Sequence, residues 1–198
     1  MLTDLPPRDR SLLAKFNESD RLTTLELPQD TRLRELSQTI EAAMQSEKRP
    51  AIQQACAEFM AVAAEFYGVP QPKIQALSAR PIRVREGGWG VELFGDYQPA
   101  TGAIRIWTRT AVRKQVTSFG TFLSTLCHEF CHHLDCQRFG FKRSPHTRGF
   151  YARTAVLYHH ARGTPPKPLL WARMPRERYR IDWRRMRALQ STPSTPSV

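Results

Sequence analysis

Apolar residues recur three or four positions apart in three parts of the chain, and this spacing predicts amphipathic helices. The first helix runs from a cap at Asp30 or Thr31 to Ser46, and the second covers residues 51–67. The third begins near Ser118 or Thr121, either of which can cap its first turn. The apolar stripe of this third helix, which would pack into a core, consists of Phe119, Phe122, Leu123, Leu126, Phe130 and Leu134.

Shorter apolar segments between the second and third helices have the composition of β-strands. Residues 73–84 alternate weakly between apolar and polar positions and predict a first strand. Residues 91–94 and 103–107 predict two further strands, joined across the turn at residues 99–102. The chain therefore predicts an α+β fold.

Other segments have weaker patterns. Residues 1–29 are predicted to be irregular, residues 87–90 to form a glycine-rich loop and residues 108–116 to form a short helix or connector. Beyond the proline-rich stretch at residues 163–168, a basic helix is predicted over residues 174–189. A disordered end is predicted for Ser191 to Val198.

The third helix carries the pattern H-E-x-x-H at residues 128–132. His128 and His132 are four residues apart, so they share one face, and this face points away from the apolar stripe. Two imidazoles at this spacing can bind one cation, and zinc accepts imidazole nitrogen readily. Glu129 directly follows the first histidine, where it can act as the general base of a metalloprotease. The alternative is a surface helix with scattered histidines, which predicts no third ligand.

A catalytic zinc site needs a third protein ligand. Four downstream residues have suitable chemistry, namely His133, Asp135, Cys136 and His146. His133 points away from the face of His132. Asp135 and Cys136 lie near the right face, but a straight helix carries them too far along its axis. His146 follows a helix break at residues 139–145 and precedes a predicted helix at residues 147–161, so it is favoured while the other two stay open.

The residues H-E-F-C-H, a short loop and then His146-Thr147-Arg148-Gly149-Phe150 resemble the SprT-like zinc metalloproteases. The segment from Gly95 to Ile106 is similar to the hairpin that precedes the active-site helix in that family, and the resemblance covers roughly residues 52–161. It implies a small zincin-like domain in which a short three-stranded antiparallel sheet packs on the H-E-x-x-H helix with flanking helices. It also implies a set of roles for the site: the metal ligands His128, His132 and His146, and the catalytic acid/base Glu129.

The chain departs from that family at two points. Thr147 stands where SprT-like proteins usually have glycine, and a third-ligand pattern of this type also resembles the WLM and YgjP-like metallopeptidases, whose spacing to the third histidine is often shorter. Many SprT-like proteins carry a cysteine-rich zinc ribbon, whereas no cysteine follows Cys136 here. The resemblance implies peptide-bond hydrolysis and, as in Spartan-type members, substrates that are bound or crosslinked to DNA.

Charge points to an anionic partner. The chain has a net charge of +12, and nine arginine and lysine residues against two acidic ones lie from Arg162 onward. Trp171, Tyr179 and Trp183 are interleaved with these basic residues, a pattern that can neutralise phosphates and stack on unpaired bases. We expect DNA binding through this segment, and a solvated basic tail is the alternative.

These patterns predict three parts: an extension with one helix at residues 1–50, a metalloprotease domain at residues 51–162, and a linker with a basic tail at residues 163–198. No apolar stretch is long enough to span a membrane, and the first residues do not form a signal peptide. The four cysteines are expected to be reduced thiols in the cytoplasm. Two alternatives to a DNA-directed protease stay open: a non-catalytic zinc-containing module that binds nucleic acid, and a regulatory protease with no DNA role.

Overall fold

The structure, a computed structural model, describes residues 1–84 and 90–190, and it confirms the α+β fold. The elements in chain order are α1 (Arg10–Arg21), α2 (Arg32–Gln45), α3 (Arg49–Tyr67), β1 (Lys73–Ala79), β2 (Ile82–Val84), β3 (Gly90–Glu92), β4 (Gly95–Gln98), β5 (Ala103–Arg109), α4 (Phe119–Gln137), α5 (Arg148–Arg162), β6 (Trp171–Met174), β7 (Arg178–Ile181) and α6 (Trp183–Gln190). Two compact units are present. The first, here called the sheet unit, contains residues 25–144 and 154–166, and the second, here called the terminal unit, contains residues 1–24, 145–153 and those from Lys167 onward.

The sheet unit contains a three-stranded sheet in the order β1-β5-β4. β4 runs antiparallel to β5, as predicted, but β1 runs parallel to β5 with Ile74 opposite Ile104. The prediction of an antiparallel sheet is therefore wrong, and the sheet is mixed. A short turn forces only β4 and β5 to be antiparallel, whereas the long path from β1 through β2, β3 and β4 permits a parallel pair.

The strand predicted at residues 91–94 does not form as one element in the structure. β3 ends at Glu92 and pairs with β2 in a separate two-stranded ribbon, and the partner of β5 is β4, which begins at Gly95. The segment at residues 108–116 is a connector without a helix. Of the loop predicted at residues 87–90, only Gly90 lies within the described residues, and it begins β3.

Helices of the sheet unit begin and end within two residues of the predicted positions, and α3 begins at Arg49, before the predicted start at residue 51, because a helix accepts Pro50 in its first turn. Thr31 stands at the N-cap of α2, and α3 ends at Gly68, whose φ of 63° is the left-handed conformation that favours glycine. The hydroxyl of Ser118 accepts a hydrogen bond from the backbone of Thr121 and so caps α4. The predicted apolar stripe of α4 is buried at Phe122, Leu123, Leu126, Phe130 and Leu134.

The terminal unit contains elements that the sequence patterns did not predict. Residues 10–21 form α1, capped by the carboxylate of Asp9, so the prediction of an irregular segment at residues 1–29 is wrong there. Only Phe16 and Ser19 of α1 are buried, which explains the absence of an apolar stripe. The basic helix predicted at residues 174–189 is correct only for α6, since β6 and β7 form a hairpin before it. Ser191 to Val198, predicted to be disordered, lie outside the described residues.

Close packing in the terminal unit fixes the start of α5. A Cβ atom on Gly149 would lie 2.0 Å from the carbonyl oxygen of Ser19, so only glycine fits against the last turn of α1. The buried guanidinium of Arg153 donates to the carbonyls of Ser19 and Leu22 at the end of α1. The hydroxyl of Thr147 accepts a hydrogen bond of 3.0 Å from the backbone of Phe150 and caps α5.

None of the described helices combines the length and the apolar composition that crossing a bilayer requires.

The domain boundaries predicted at residues 50 and 162 separate segments that are expected to fold independently. Independent folding of these segments stays a prediction.

Candidate metal centre

Two imidazoles lie one turn apart on the same side of α4. The Nε2 atoms of His128 and His132 are 3.2 Å apart, and both rings are half-buried. This distance is close to the separation of about 3.3 Å that two ligands of a tetrahedral zinc ion adopt at ordinary zinc–nitrogen bond lengths. The helical spacing of the two histidines therefore produces a ready pair of ligands.

His146, two residues before α5, supplies a third imidazole. One ligand atom from each of His128, His132 and His146 lies within 4.8 Å of the others. Three neutral nitrogen donors suit zinc and leave a fourth position for water or substrate, as in catalytic sites. The donor set thus fits a divalent cation such as zinc.

The other candidate ligands have different contacts. His133 is buried, with Nε2 2.7 Å from the carbonyl of Pro70 and Nδ1 3.3 Å from the Tyr97 hydroxyl. Burial lowers the pKa of His133, which keeps this ring neutral in its structural role. The thiol of Cys136 faces the backbone carbonyls of Phe141 and Lys142.

Asp135 supports a ligand rather than joining the cluster. Its carboxylate is fully buried and accepts a hydrogen bond of 3.0 Å from the hydroxyl of Ser144. The oxygen of that hydroxyl lies 2.6 Å from Nδ1 of His132. Because the hydroxyl proton points to Asp135, the Ser144 oxygen accepts the proton on Nδ1, and this leaves the lone pair of His132 on Nε2.

Ser144 was not found by sequence reasoning. It lies in the helix break between the second and third histidines, and no periodicity or motif marks it. Its φ of 39° is in the left-handed region that residues other than glycine rarely adopt. Such backbone conformations are concentrated at functional sites, where surrounding contacts hold them.

Glu129 lies on the side of α4 that faces β4, and its side chain is 6% exposed. A Cβ atom on Gly95 would lie 2.9 Å from Cγ of Glu129 and 2.7 Å from Cγ2 of Thr125, so β4 approaches α4 closely only because residue 95 is glycine. Gly95 was noted in the sequence for its family resemblance, but its contact with Glu129 was not predicted.

The surroundings of Glu129 change its acidity. Burial, with a smaller contribution from the carboxylate of Asp96, raises the pKa of Glu129 to about 8 in the metal-free protein. Asp96 itself forms an ion pair with Arg105 across the β4–β5 hairpin. A carboxyl group with a pKa near neutrality can both accept a proton and return it, which is the requirement for a general acid/base.

The same part of the sheet offers an edge for an extended chain. β4 is the last strand in the order β1-β5-β4, so one side of it is unpaired by the described strands. Backbone groups along such an edge can form hydrogen bonds with a peptide that adds as a further strand. The edge begins at Gly95, beside Glu129.

The basic C-terminal segment forms part of the surface of the terminal unit. Of its three aromatic residues, Trp183 is 42% exposed, whereas Tyr179 lies under the guanidinium of Arg148 and Trp171 packs against Tyr151. The exposed arginines of this segment are Arg173, Arg176, Arg180, Arg184, Arg185 and Arg187. The arginines are thus exposed on the surface, and among these three aromatic residues only Trp183 has a largely exposed ring.

Comparison of the chain with protein-family models, curated proteins and solved structures gives no significant match.

Proposed function

We propose that this protein is a zinc-dependent metalloendopeptidase of the SprT-like type with a zincin-like fold. The observation that carries the proposal is the convergence of the ring nitrogens of His128, His132 and His146 within 4.8 Å. The buried Glu129 next to the first ligand supports catalysis, because a purely structural metal site has no use for a carboxyl group there.

Each residue of the proposed site has a distinct role. The three imidazoles would hold the cation, which would supply Lewis-acid polarisation of a peptide carbonyl and a lowered pKa for the attacking water. Glu129 accepts the proton of that water and passes it to the leaving amine. The β4 edge orients an extended substrate, so that the scissile carbonyl is presented next to Glu129.

Metal content and turnover of three variants test this proposal. Wild-type protein should bind about one zinc per chain, and His146→Ala should lose that zinc. Glu129→Gln should keep the zinc, but its turnover should fall by about 10²-fold or more. His159→Ala is the matched control, because this histidine contacts Thr164 and is not one of the three clustered residues. Normal cleavage by Glu129→Gln would refute the proposed mechanism, and full zinc content in His146→Ala would refute the ligand set.

We further propose that the substrates are DNA-associated proteins, since the exposed arginines around α6 can contact phosphates. Replacing Arg184 and Arg185 by alanine should weaken DNA binding and reduce the slope of log affinity against log salt by about 1 for each phosphate that the protein no longer neutralises. An unchanged slope would instead favour a regulatory protease without a DNA role. DNA binding without any peptidase activity in zinc-loaded wild type would favour the non-catalytic module.

We also place this activity in the cytoplasm. The four cysteines, Cys56, Cys127, Cys131 and Cys136, are free thiols, as a reducing compartment would keep them.

A further inference from the structure

The first residues of the chain contact the third histidine of the cluster. One carboxylate oxygen of Asp4 accepts a hydrogen bond of 2.9 Å from the backbone N–H of His146 and lies 3.3 Å from Nδ1 of the same residue. In return, the backbone N–H of Asp4 donates to the carbonyl of His146 at 2.9 Å. The two residues thus hold each other through both backbone and side chain, although 142 positions separate them in the sequence.

Asp4 is itself held in place by β7. The backbone N–H of Thr3 donates to the carbonyl of Tyr179, and the Thr3 hydroxyl accepts from the N–H of Tyr179, both at 2.8 Å. The side chain of Arg178 donates to the carbonyl of Thr3, and the N–H of Ile181 donates to the carbonyl of Met1. Thr3 is 2% exposed and Leu2 forms an isolated antiparallel bridge with Arg180, so the segment at residues 1–4 is fixed against β7 rather than lying loose on the surface.

The ring of His146 is also fixed by an aromatic contact. Tyr151 stacks on it, with ring centroids 5.7 Å apart and planes inclined by 20°, and the Tyr151 hydroxyl donates to the carbonyl of Leu2. Tyr151 therefore positions the ring, and its hydroxyl is engaged with the same N-terminal segment. With Nδ1 facing Asp4, Nε2 is the ring nitrogen that remains to bind a cation.

We propose that Asp4 is a positioning residue for the third metal ligand. Its carboxylate accepts the Nδ1–H of His146, selects the tautomer with the lone pair on Nε2 and fixes the ring direction. This arrangement corresponds to the pair Ser144 and Asp135 behind His132. Carboxylates behind ligating histidines increase their basicity, and losing one typically weakens metal binding 10- to 100-fold. The inference rests on the metal centre proposed above.

Zinc affinity, measured by competition with a chelator, tests this role. Asp4→Ala removes both the acceptor and the charge, and zinc binding should weaken by about 10-fold, the lower end of the range for such residues because the Asp4 side chain is half-exposed. Asp4→Asn keeps an acceptor for the backbone N–H and should fold if the alanine variant does not, with a smaller loss of zinc affinity. Far-UV circular dichroism of the metal-free variants establishes that each is folded during the titration.

Asp20→Asn is the matched control. Asp20 accepts a hydrogen bond from the backbone of Arg148 and pairs with its guanidinium at the start of α5, without a contact to His146. The Asp20→Asn variant therefore loses a negative charge near the same helix start without losing a contact to His146. Its zinc affinity should stay within about twofold of wild type, because no group that orients a metal ligand is removed.

Three results would overturn the inference, and they distinguish failure of the Asp4 role from failure of the proposed metal centre. Equal zinc affinity of wild type and both folded Asp4 variants removes the role of Asp4 while the metal centre stands. If zinc affinity weakens equally in Asp20→Asn, the loss in the Asp4 variants is caused by the change in charge or in helix stability and not by a lost contact with His146. A wild-type protein that binds no zinc removes the proposed metal centre and this inference together.

Discussion

Replacing Glu129 by glutamine should stabilise the metal-free protein at neutral pH. The carboxyl group is 6% exposed and packs against the backbone of Gly95, where ionisation is opposed by burial and by the carboxylate of Asp96. Glutamine has nearly the same shape and carries no charge. In the fold this carboxyl must stay protonated at a pH where the unfolded chain would ionise it, and the substitution removes that cost without opening a cavity.

The size of this effect follows from the pKa of Glu129, which burial raises from 4.5 to about 8. The folded protein binds this proton more tightly than the unfolded chain, so the stabilising contribution is fully present below the unfolded pKa and is lost as the pH rises through the folded pKa. At pH 7, with each pKa unit corresponding to 1.36 kcal/mol, the lost stability is about 3 kcal/mol. Glu129→Gln should recover an amount of this order.

Urea denaturation in the presence of a chelator measures the difference directly. The gain in unfolding free energy of Glu129→Gln over wild type should grow by about 2.5 kcal/mol between pH 5 and pH 7. Glu18→Gln, which alters an exposed residue paired with Lys15, is the control and should show no such growth. A constant difference between wild type and Glu129→Gln at both pH values would refute the assignment of a buried, high-pKa carboxyl group.

Two further substitutions test contacts around the site. Gly95→Ala places a methyl group 2.7 to 2.9 Å from α4 side chains. It should therefore destabilise the protein by about 1–3 kcal/mol and lower turnover at full zinc occupancy. Gly120→Ala is the control and should not lower turnover, because its new Cβ would lie 3.4 Å from the nearest side-chain atom. Ser144→Ala removes the hydroxyl that joins His132 to the buried carboxylate of Asp135, and it should weaken zinc binding by about 10-fold. Ser118→Ala removes the cap of α4, so it should lower the free energy of unfolding by about 1 kcal/mol and leave zinc affinity unchanged. Turnover of Gly95→Ala equal to wild type, or equal zinc affinity of the two serine variants, would contradict these expectations.

The part of the site that sequence predicts is the part encoded locally. The stripe of α4, its cap at Ser118 and the shared face of His128 and His132 depend on residues within one helix, so periodicity defines them. The proximity of His146 was also predicted, because a helix break and a short loop bring the chain back within few residues.

The contacts that sequence could not predict join distant positions. Asp4 lies 142 residues before His146, and Gly95 lies 34 positions before Glu129, so no local pattern connects either pair. The parallel pairing of β1 with β5 was missed for the same reason, since strand direction depends on the path of the whole connection. α1 was missed because its buried face is only Phe16 and Ser19.

The case for a metal at this site rests on the agreement of independent contacts, and chance proximity of three histidines explains only one of them. A surface cluster would not need His132 to be backed by Ser144 and a buried Asp135, nor would it need an acidic side chain behind His146. It would also leave unexplained a buried Glu129 that opposes folding at neutral pH. A bound cation would favour the ionised form of this carboxyl, so zinc should abolish most of the stability difference between wild type and Glu129→Gln. The raised pKa of Glu129 in the metal-free protein is thus what the proposed function leads us to expect of a carboxyl group beside a metal site.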